Sequence, residues 1–235
     1  MSGYIKAIFR KRPNRFIAEV EIDGEIAIAH VPNTGRCKEL LVDGAIVYLL
    51  PSNDPKRKTK YSLHLVKNDG VLVSIYSQLA NKIVYEAILD GKIKELNNYL
   101  QVKQEKTVGK SRIDIYLAND DKDCYVEVKG VTLVKDGVAM FPDAPTERGR
   151  KHLNELIELK KNGHRAVVFF LIQHPNGNNF RPNWGTDPEF AKTLAIAHDQ
   201  GVEILIYKCE NSLDKVELIG EAIDYDLKEE IYTLK

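Results

Sequence analysis

This chain of 235 residues has few cysteines, no formal net charge and no long apolar run. Its three cysteines, Cys37, Cys124 and Cys209, are far apart without CxxC spacing, so neither a disulfide framework nor a zinc site is indicated. Acidic and basic residues number 34 each, so binding to nucleic acid must come from local patches. No apolar run is long enough to span a membrane and no charged-then-apolar leader follows Met1, so we expect a soluble, cytoplasmic protein with no membrane partner.

The hydrophobic pattern divides the chain into two parts. Residues 1–77 contain short strand candidates separated by turns, a spacing that suits a small β-barrel. From Ser77 the pattern becomes helical and then alternates between strands and helices, which indicates an α/β sheet. We therefore predict a barrel domain in residues 1–77 and an α/β domain in residues 78–235. The barrel strands are predicted at 4–9, 16–22, 25–31, 45–50, 61–67 and 71–76, and two later helices at 147–162 and 188–199.

The most informative chemical pattern lies on two neighbouring strand candidates. Apolar residues alternate with polar ones in 112–117 and again in 124–129, so each strand has one polar face. Asp114 lies on the first polar face, and Glu127 and Lys129 lie on the second. A hairpin that aligns these faces brings two carboxylates and one ammonium together. Two such carboxylates would hold Mg²⁺ or Mn²⁺.

A divalent cation held there would support phosphodiester hydrolysis, because it lowers the pKa of bound water and neutralises charge in the transition state. Lys129 would orient the attacking water or stabilise the developing negative charge. The alternative is a solvated strand face with an ion pair, since Asp/Glu-x-Lys also occurs at five other places in the chain. The apolar strand around Glu127 and the preceding carboxylate strand favour the metal site.

A basic cluster follows at the start of the predicted 147–162 helix, for which Thr146 is a suitable N-cap. Arg148 and Arg150 stand in its first turns with two further basic side chains. Cations are unfavourable at the positive end of a helix dipole, and a bound phosphate would compensate them. Nearby acidic side chains and solvent would serve equally well, so both interpretations stay open.

Five stretches of the chain are specific enough to indicate a family: 32–36 (PNTGR), 81–87 (NKIVYEA), 111–114 (SRID), 125–129 (YVEVK) and 141–149 (FPDAPTERG). In these stretches, and over nearly its whole length, the chain resembles the sugar fermentation stimulation protein A (SfsA) family of bacteria and archaea. The resemblance implies an N-terminal OB-like barrel followed by a domain similar to the PD-(D/E)xK nucleases, in the α/β (α+β) class. It also implies nucleic-acid binding and, in at least some members, nuclease activity, while an older description is a DNA-binding regulator of sugar catabolism.

Carried onto matching positions, the resemblance makes Asp114 and Glu127 the metal ligands and Lys129 the catalytic lysine. It adds Glu86, on the preceding helix, as a further acidic catalytic residue. Glu86 lies at the margin of that helix's apolar stripe, so an exposed carboxylate is an equal alternative. The chain departs from the superfamily pattern at Ile113, where the name of the superfamily has proline.

Polar and basic side chains outside the acidic site are candidate nucleic-acid contacts. The 32–36 turn offers an amide, a hydroxyl and a guanidinium together, although a tight turn built on Pro and Gly would look the same. The basic loops 10–15 and 55–60 suit a nucleic-acid backbone, and solvated surface is their alternative. The candidates are Asn33, Thr34, Arg36, Lys56, Arg57, Lys58, Arg112, Arg148 and Arg150.

These observations predict a metal-dependent nuclease that acts on DNA or RNA with Mg²⁺ or Mn²⁺. The alternative is a non-catalytic DNA-binding regulator of sugar catabolism, and a third option is a small anionic ligand held at Arg36 and Arg148. No convincing pair of adjacent helices forms a helix-turn-helix reader, which favours the nuclease. The sequence leaves open DNA against RNA, single against double strand, endonuclease against exonuclease, and the oligomeric state, a homodimer included.

Overall fold

The chain folds as a closed β-barrel followed by a sheet with helices on both faces, the α/β (α+β) class that the sequence predicts. The computed structural model describes residues 3–52, 54, 56–108, 111–120 and 123–229. In this part of the chain the helices are α1 (Ser77–Leu89), α2 (Glu147–Lys161) and α3 (Pro188–Asp199), with a short 3-10 helix at Lys94–Leu96. The strands are β1 (Ile5–Asn14), β2 (Ile17–Ile22), β3 (Glu25–His30), β4 (Ile46–Pro51), β5 (Tyr61–Asn68), β6 (Val71–Ser74), β7 (Gln101–Val108), β8 (Ser111–Ala118), β9 (Asp123–Val131), β10 (Leu133–Lys135), β11 (Val138–Phe141), β12 (Arg165–Ile172), β13 (Asn179–Pro182), β14 (Glu203–Asn211) and β15 (Val216–Ile219).

The barrel is formed by β1 to β5, and β6 extends the sheet beyond β5. Its strands are neighbours in the order β3-β2-β1-β4-β5, and the ring closes where β3 pairs with β5 through Ala29↔Tyr61 and His30↔Ser62. Because successive strand residues face opposite sides, the apolar residues at alternate positions fill the interior. Phe9, Val20 and Leu49 are among the buried side chains of this core.

Two local predictions in the barrel are wrong. Residues 10–14 continue β1 instead of forming a turn, because irregularities after Phe9 and Lys11 let the strand stay paired with β2. The sequence after the 32–36 turn also predicts a short helix at 37–41, but these residues form a hydrogen-bonded turn in which the N–H groups of Leu40 and Leu41 both donate to the carbonyl of Cys37. The φ angle of Cys37 is +45°, a left-handed value that a continuing helix does not allow.

The second domain is built on a six-stranded sheet in the order β15-β14-β12-β9-β8-β7. Strands β7, β8 and β9 form an antiparallel meander, whereas β9, β12 and β14 run parallel. The central strand β12 is apolar along almost its whole length because helices cover both of its faces. Helix α1 packs on one face of the sheet, and α2 and α3 pack on the other.

The barrel and the second domain meet through polar contacts around the 32–36 turn. The backbone N–H of Cys37 donates to Asp143 Oδ2 at 3.0 Å, and Ser77 Oγ donates to the carbonyl of Pro32 at 2.9 Å. The turn itself is fixed by Arg12, whose guanidinium donates to four backbone carbonyls. Those carbonyls belong to Arg15, Asn33, Gly35 and Arg36.

All three cysteines are buried and free. None of the helices found in the described part of the chain has the length and apolar character that crossing a bilayer requires.

Candidate active site

A cleft of about 490 Å³ lies where the barrel meets the second domain. Its walls come from the 32–36 turn, the start of α1, strands β8 and β9, and the loop that leads into α2. Asp114, Glu127, Lys129 and Arg148 all line it. The structure therefore brings the two predicted carboxylates, the predicted lysine and one predicted arginine to a single place.

Strands β8 and β9 begin to separate at the cleft. The two strands pair from Ala118↔Asp123 to Ile115↔Val126, so the pairing stops at the residue next to Asp114. The carboxylate of Asp114 reaches across the gap, where its Oδ2 accepts from the backbone N–H of Val128 at 2.8 Å. Its Oδ1 accepts from Asn81 Nδ2 of α1 at 2.7 Å. Burial and the nearby charge of Glu127 raise the pKa of Asp114.

Glu127 is the most enclosed charged group of the cleft, since only 2% of it is exposed. Its Oε1 accepts from Lys129 Nζ at 2.5 Å and also contacts His152 Nδ1. Burial alone would raise the pKa of Glu127, but the hydrogen bond from His152 and the charge of Lys129 outweigh it and lower that pKa. Its Oε2 is buried and has no hydrogen-bond partner among the residues that the structure describes.

His152 connects the acidic and basic sides of the cleft. Its Nε2 accepts from Arg148 Nε at 3.3 Å, one turn earlier on α2, and its Nδ1 faces Glu127 Oε1. An imidazole ring can donate at one nitrogen and accept at the other. His152 therefore fixes the orientation of the Glu127 carboxylate and is itself held by Arg148.

The residues of the cleft fit a hard divalent cation better than a zinc ion. Across the described ranges, no group of three or more His, Cys, Asp or Glu side chains is arranged to hold a metal. Asp114 and Glu127 supply two carboxylates, and Glu127 Oε2 is a buried oxygen still in need of a partner. Mg²⁺ and similar cations are often bound by one or two carboxylates, with water and substrate phosphate completing the shell.

Glu86 lies outside the cleft. It is on the exposed side of α1, where its carboxylate is 3.6 Å from Lys82 Nζ. The α1 residue that contacts Asp114 is Asn81. Helix geometry explains the difference, because Glu86 lies roughly 140° around the helix from Asn81.

The predicted nucleic-acid contacts fall into three groups. Asn33 and Thr34 line the cleft, together with Arg148. Arg57 lines a separate cavity on the barrel. The others point elsewhere: Arg36, Lys56 and Lys58 are exposed outside both cavities, Arg112 pairs with Glu105 at 3.2 Å, and Arg150 pairs with Asp187 at 2.9 Å.

Sequence reasoning missed three residues that shape the cleft. Asp143 accepts from the backbone N–H of Cys37, and a Cβ atom at Gly35 would lie 2.6 Å from Asp143 Oδ2, so any larger residue there would force the carboxylate or the turn to shift. His152 was counted only as part of a basic cluster, although its position four residues after Arg148 puts both on one helix face. Asn81 opens a stretch that resembles the family, but only the fold shows that its amide reaches Asp114.

Comparisons with known proteins agree with this architecture. The family model described as the SfsA N-terminal OB domain matches residues 11–75, and the sugar fermentation stimulation protein RE domain matches residues 78–215. A sugar fermentation stimulation protein homolog of Methanobrevibacter smithii is 66% identical, over 95% of this chain and 98% of the relative. One from Clostridium perfringens is 48% identical, over 92% of this chain and 94% of the relative.

A solved structure shares the fold throughout. It is described as the structure of Pyrococcus furiosus SfsA in complex with Ca²⁺, and it is 32% identical with a TM-score of 0.88. The match covers 96% of this chain and 97% of the solved one. The predicted OB-like barrel is confirmed, and the chain belongs to the sugar fermentation stimulation protein (SfsA) family.

Proposed function

We propose that this protein is a metal-dependent nuclease that hydrolyses phosphodiester bonds in DNA or RNA. The observation that carries the proposal is the arrangement of Asp114 and Glu127 beside Lys129 and Arg148 in one cleft, with Glu127 Oε2 buried and without a hydrogen-bond partner among the described residues. Carboxylates for a cation and basic groups for a phosphate are what metal-assisted phosphodiester cleavage requires.

The solved relative supports the choice of cation. Pyrococcus furiosus SfsA is described in complex with Ca²⁺, a hard cation that takes oxygen ligands as Mg²⁺ and Mn²⁺ do. Asp114 and Glu127 would hold Mg²⁺ or Mn²⁺ in this chain. When bound, the cation supplies a water of lowered pKa and neutralises charge that develops on the phosphate.

The protein's own side chains orient the reactants. Lys129 Nζ, 2.5 Å from Glu127 Oε1, stands where it can position the attacking water and stabilise developing negative charge. Arg148 is exposed at the mouth of the cleft and binds the phosphate through its guanidinium. His152 holds Glu127 and Arg148 in place through its two ring nitrogens.

The test is cleavage of labelled single- and double-stranded DNA and RNA with Mg²⁺, Mn²⁺ or EDTA. Asp114→Asn and Lys129→Ala should lose metal-dependent cutting while they keep nucleic-acid binding. Glu189→Gln is the matched control, because Glu189 is an exposed carboxylate on α3 that pairs with Lys192. Equal cutting by Asp114→Asn and the parent would contradict the proposal.

A second candidate function is a non-catalytic DNA-binding regulator. One observation favours it: Glu127 Oε1 is already paired with Lys129 and faces His152, as in a structural ion-pair cluster. In that case the protein binds DNA without cutting it in any metal, and Asp114→Asn changes neither result.

A further inference from the structure

A second cavity, of about 640 Å³, opens on the barrel beside the cleft. We call it the barrel pocket. Its walls come from the β1–β2 turn, the end of β3, the β4–β5 connection and the start of α1. Its volume is within the range of pockets that enclose small organic ligands. Nothing in the proposed chemistry of Asp114, Glu127 and Lys129 uses this pocket.

The barrel pocket is lined by rings. Phe16, His30, His64 and Tyr76 all line it. Phe16 is 52% exposed, although it is a large apolar side chain at the tip of a turn. The rings of His64 and Tyr76 lie 4.4 Å apart between centroids at an interplanar angle of 33°. A flat aromatic ligand would find stacking partners on more than one side.

Arg57 gives the barrel pocket a positive charge that suits an anion, and the two histidines add little to it. Burial lowers the pKa of His64 to about 4, with Arg57 and His30 adding to the effect, and burial also lowers the pKa of His30. The His64 ring is therefore uncharged at neutral pH, and the charged form of His30 is disfavoured. Arg57 donates to Ser62 Oγ at 2.8 Å, and no carboxylate is among the described residues that line the pocket.

The barrel pocket and the cleft share a wall. Asn33, Thr34, Ser77 and Gln78 line both. This wall is fixed, because Asn33 Nδ2 donates to the carbonyl of Ile75 at 2.9 Å and Ser77 Oγ donates to the carbonyl of Pro32. A ligand that occupies both cavities has to cross this wall, and the polar side chains there suit a sugar–phosphate backbone.

We propose that the barrel pocket receives the base of an unpaired nucleotide next to the scissile phosphate, so that the substrate is single-stranded nucleic acid or an unpaired strand end. The second part rests on the proposed nuclease function. A base within a duplex has both faces covered by its neighbours, whereas an unpaired base can stack on Phe16 or Tyr76. Phe16 lies in the β1–β2 turn and Arg57 in the β4–β5 connection, the two loops through which OB barrels contact oligonucleotides.

Binding tests the pocket independently of cutting. Asp114→Asn protein is titrated by fluorescence anisotropy with labelled single strands of DNA and RNA of about 12 nucleotides, within the length that one OB barrel covers. Phe16→Ala added to this background should weaken single-strand binding about tenfold, since stacking of one base contributes roughly 1–3 kcal/mol. Phe16→Tyr keeps the ring and should restore binding. Ile196→Ala, at an exposed apolar residue of α3, is the matched control.

A substrate scan then places the base relative to the cut. One abasic nucleotide is moved stepwise along a single strand that the parent enzyme cleaves. Cutting should fall when the abasic position is next to the scissile phosphate, and Phe16→Ala should abolish that penalty. The proposal for the barrel pocket is overturned if Phe16→Ala and its background bind the single strand with equal affinity. It is also overturned if the background protein binds a blunt duplex as tightly as the single strand. If binding depends on Phe16 but no metal supports cutting, the base-binding role of the barrel pocket is supported and the nuclease function is rejected.

Discussion

Arg148 and Arg150 are two residues apart on α2, and the structure predicts opposite roles for them. Arg150 donates twice to Asp187, at 2.9 Å for each oxygen, and Asp187 is only 3% exposed. Asp187 also caps α3 through the N–H of Phe190 and accepts from the N–H of Thr146, the N-cap of α2. Arg148, in contrast, is exposed at the cleft and its Nε donates to His152 Nε2.

The expected magnitudes follow from these contacts. Arg150→Met leaves a buried carboxylate without its cation, and breaking a buried pair in this way costs roughly 3–5 kcal/mol. Because Arg150 is 28% exposed, we expect the lower end, about 3 kcal/mol less free energy of unfolding, with nucleic-acid affinity unchanged. Arg148→Met removes an exposed group, so the free energy of unfolding should change by less than about 1 kcal/mol.

Two assays separate the roles. Urea unfolding gives the change in free energy, and anisotropy with a single strand gives the affinity, both at a fixed salt concentration. Arg148→Met should weaken binding and leave the unfolding midpoint in place, and Arg150→Met should do the reverse. The reasoning is refuted if Arg150→Met loses affinity while its unfolding free energy stays within about 0.5 kcal/mol of the parent.

Three further predictions address the cation, the domain junction and the pocket. Ca²⁺ or Mn²⁺ should raise the Tm of the parent in a concentration-dependent way, by linkage of binding to folding, and should not raise that of Asp114→Asn; calorimetry with EDTA as reference checks this. Gly35→Ala should lower the free energy of unfolding by about 1–3 kcal/mol, since its Cβ would lie 2.6 Å from Asp143 Oδ2, and an unchanged urea midpoint would contradict that close approach. Burial, with smaller effects of Arg57 and His30, lowers the pKa of His64 to about 4, so the unfolded state binds more protons between pH 6.5 and 4. Stability should therefore be full above pH 6.5, fall by roughly 3 kcal/mol as the pH drops to 4, and lose this dependence in His64→Leu, as urea titrations at several pH values would show.

Much of the fold follows from local patterns. Period-two alternation predicts β8 and β9, and Thr146 marks the start of α2, where its Oγ1 accepts from the N–H of Gly149 at 3.0 Å. The same alternation places Asp114 and Glu127 on the polar faces of two neighbouring strands. These features depend on neighbours in sequence, so a single sequence carries them.

Other features depend on contacts between distant residues. The partner of Arg150 is Asp187, 37 positions away, so the sequence alone leaves a bound phosphate and an acidic side chain as equal alternatives. The rotation of α1 that turns Asn81 toward Asp114 and Glu86 toward solvent is set by packing on the sheet. The rings that line the barrel pocket come from a β-turn, from two strands and from the start of a helix. The alternation of residues within each element does not reveal that these rings lie close together.

The guanidinium of Arg12 has a consequence for how the two domains depend on each other. It ties β1 of the barrel to the backbone of Asn33, Gly35 and Arg36. Asn33 and Gly35 line the cleft beside Asp143. The carboxylates therefore stand on one domain and part of their enclosure on the other. A second domain expressed alone would lack this wall, so the cleft is complete only where both domains are present.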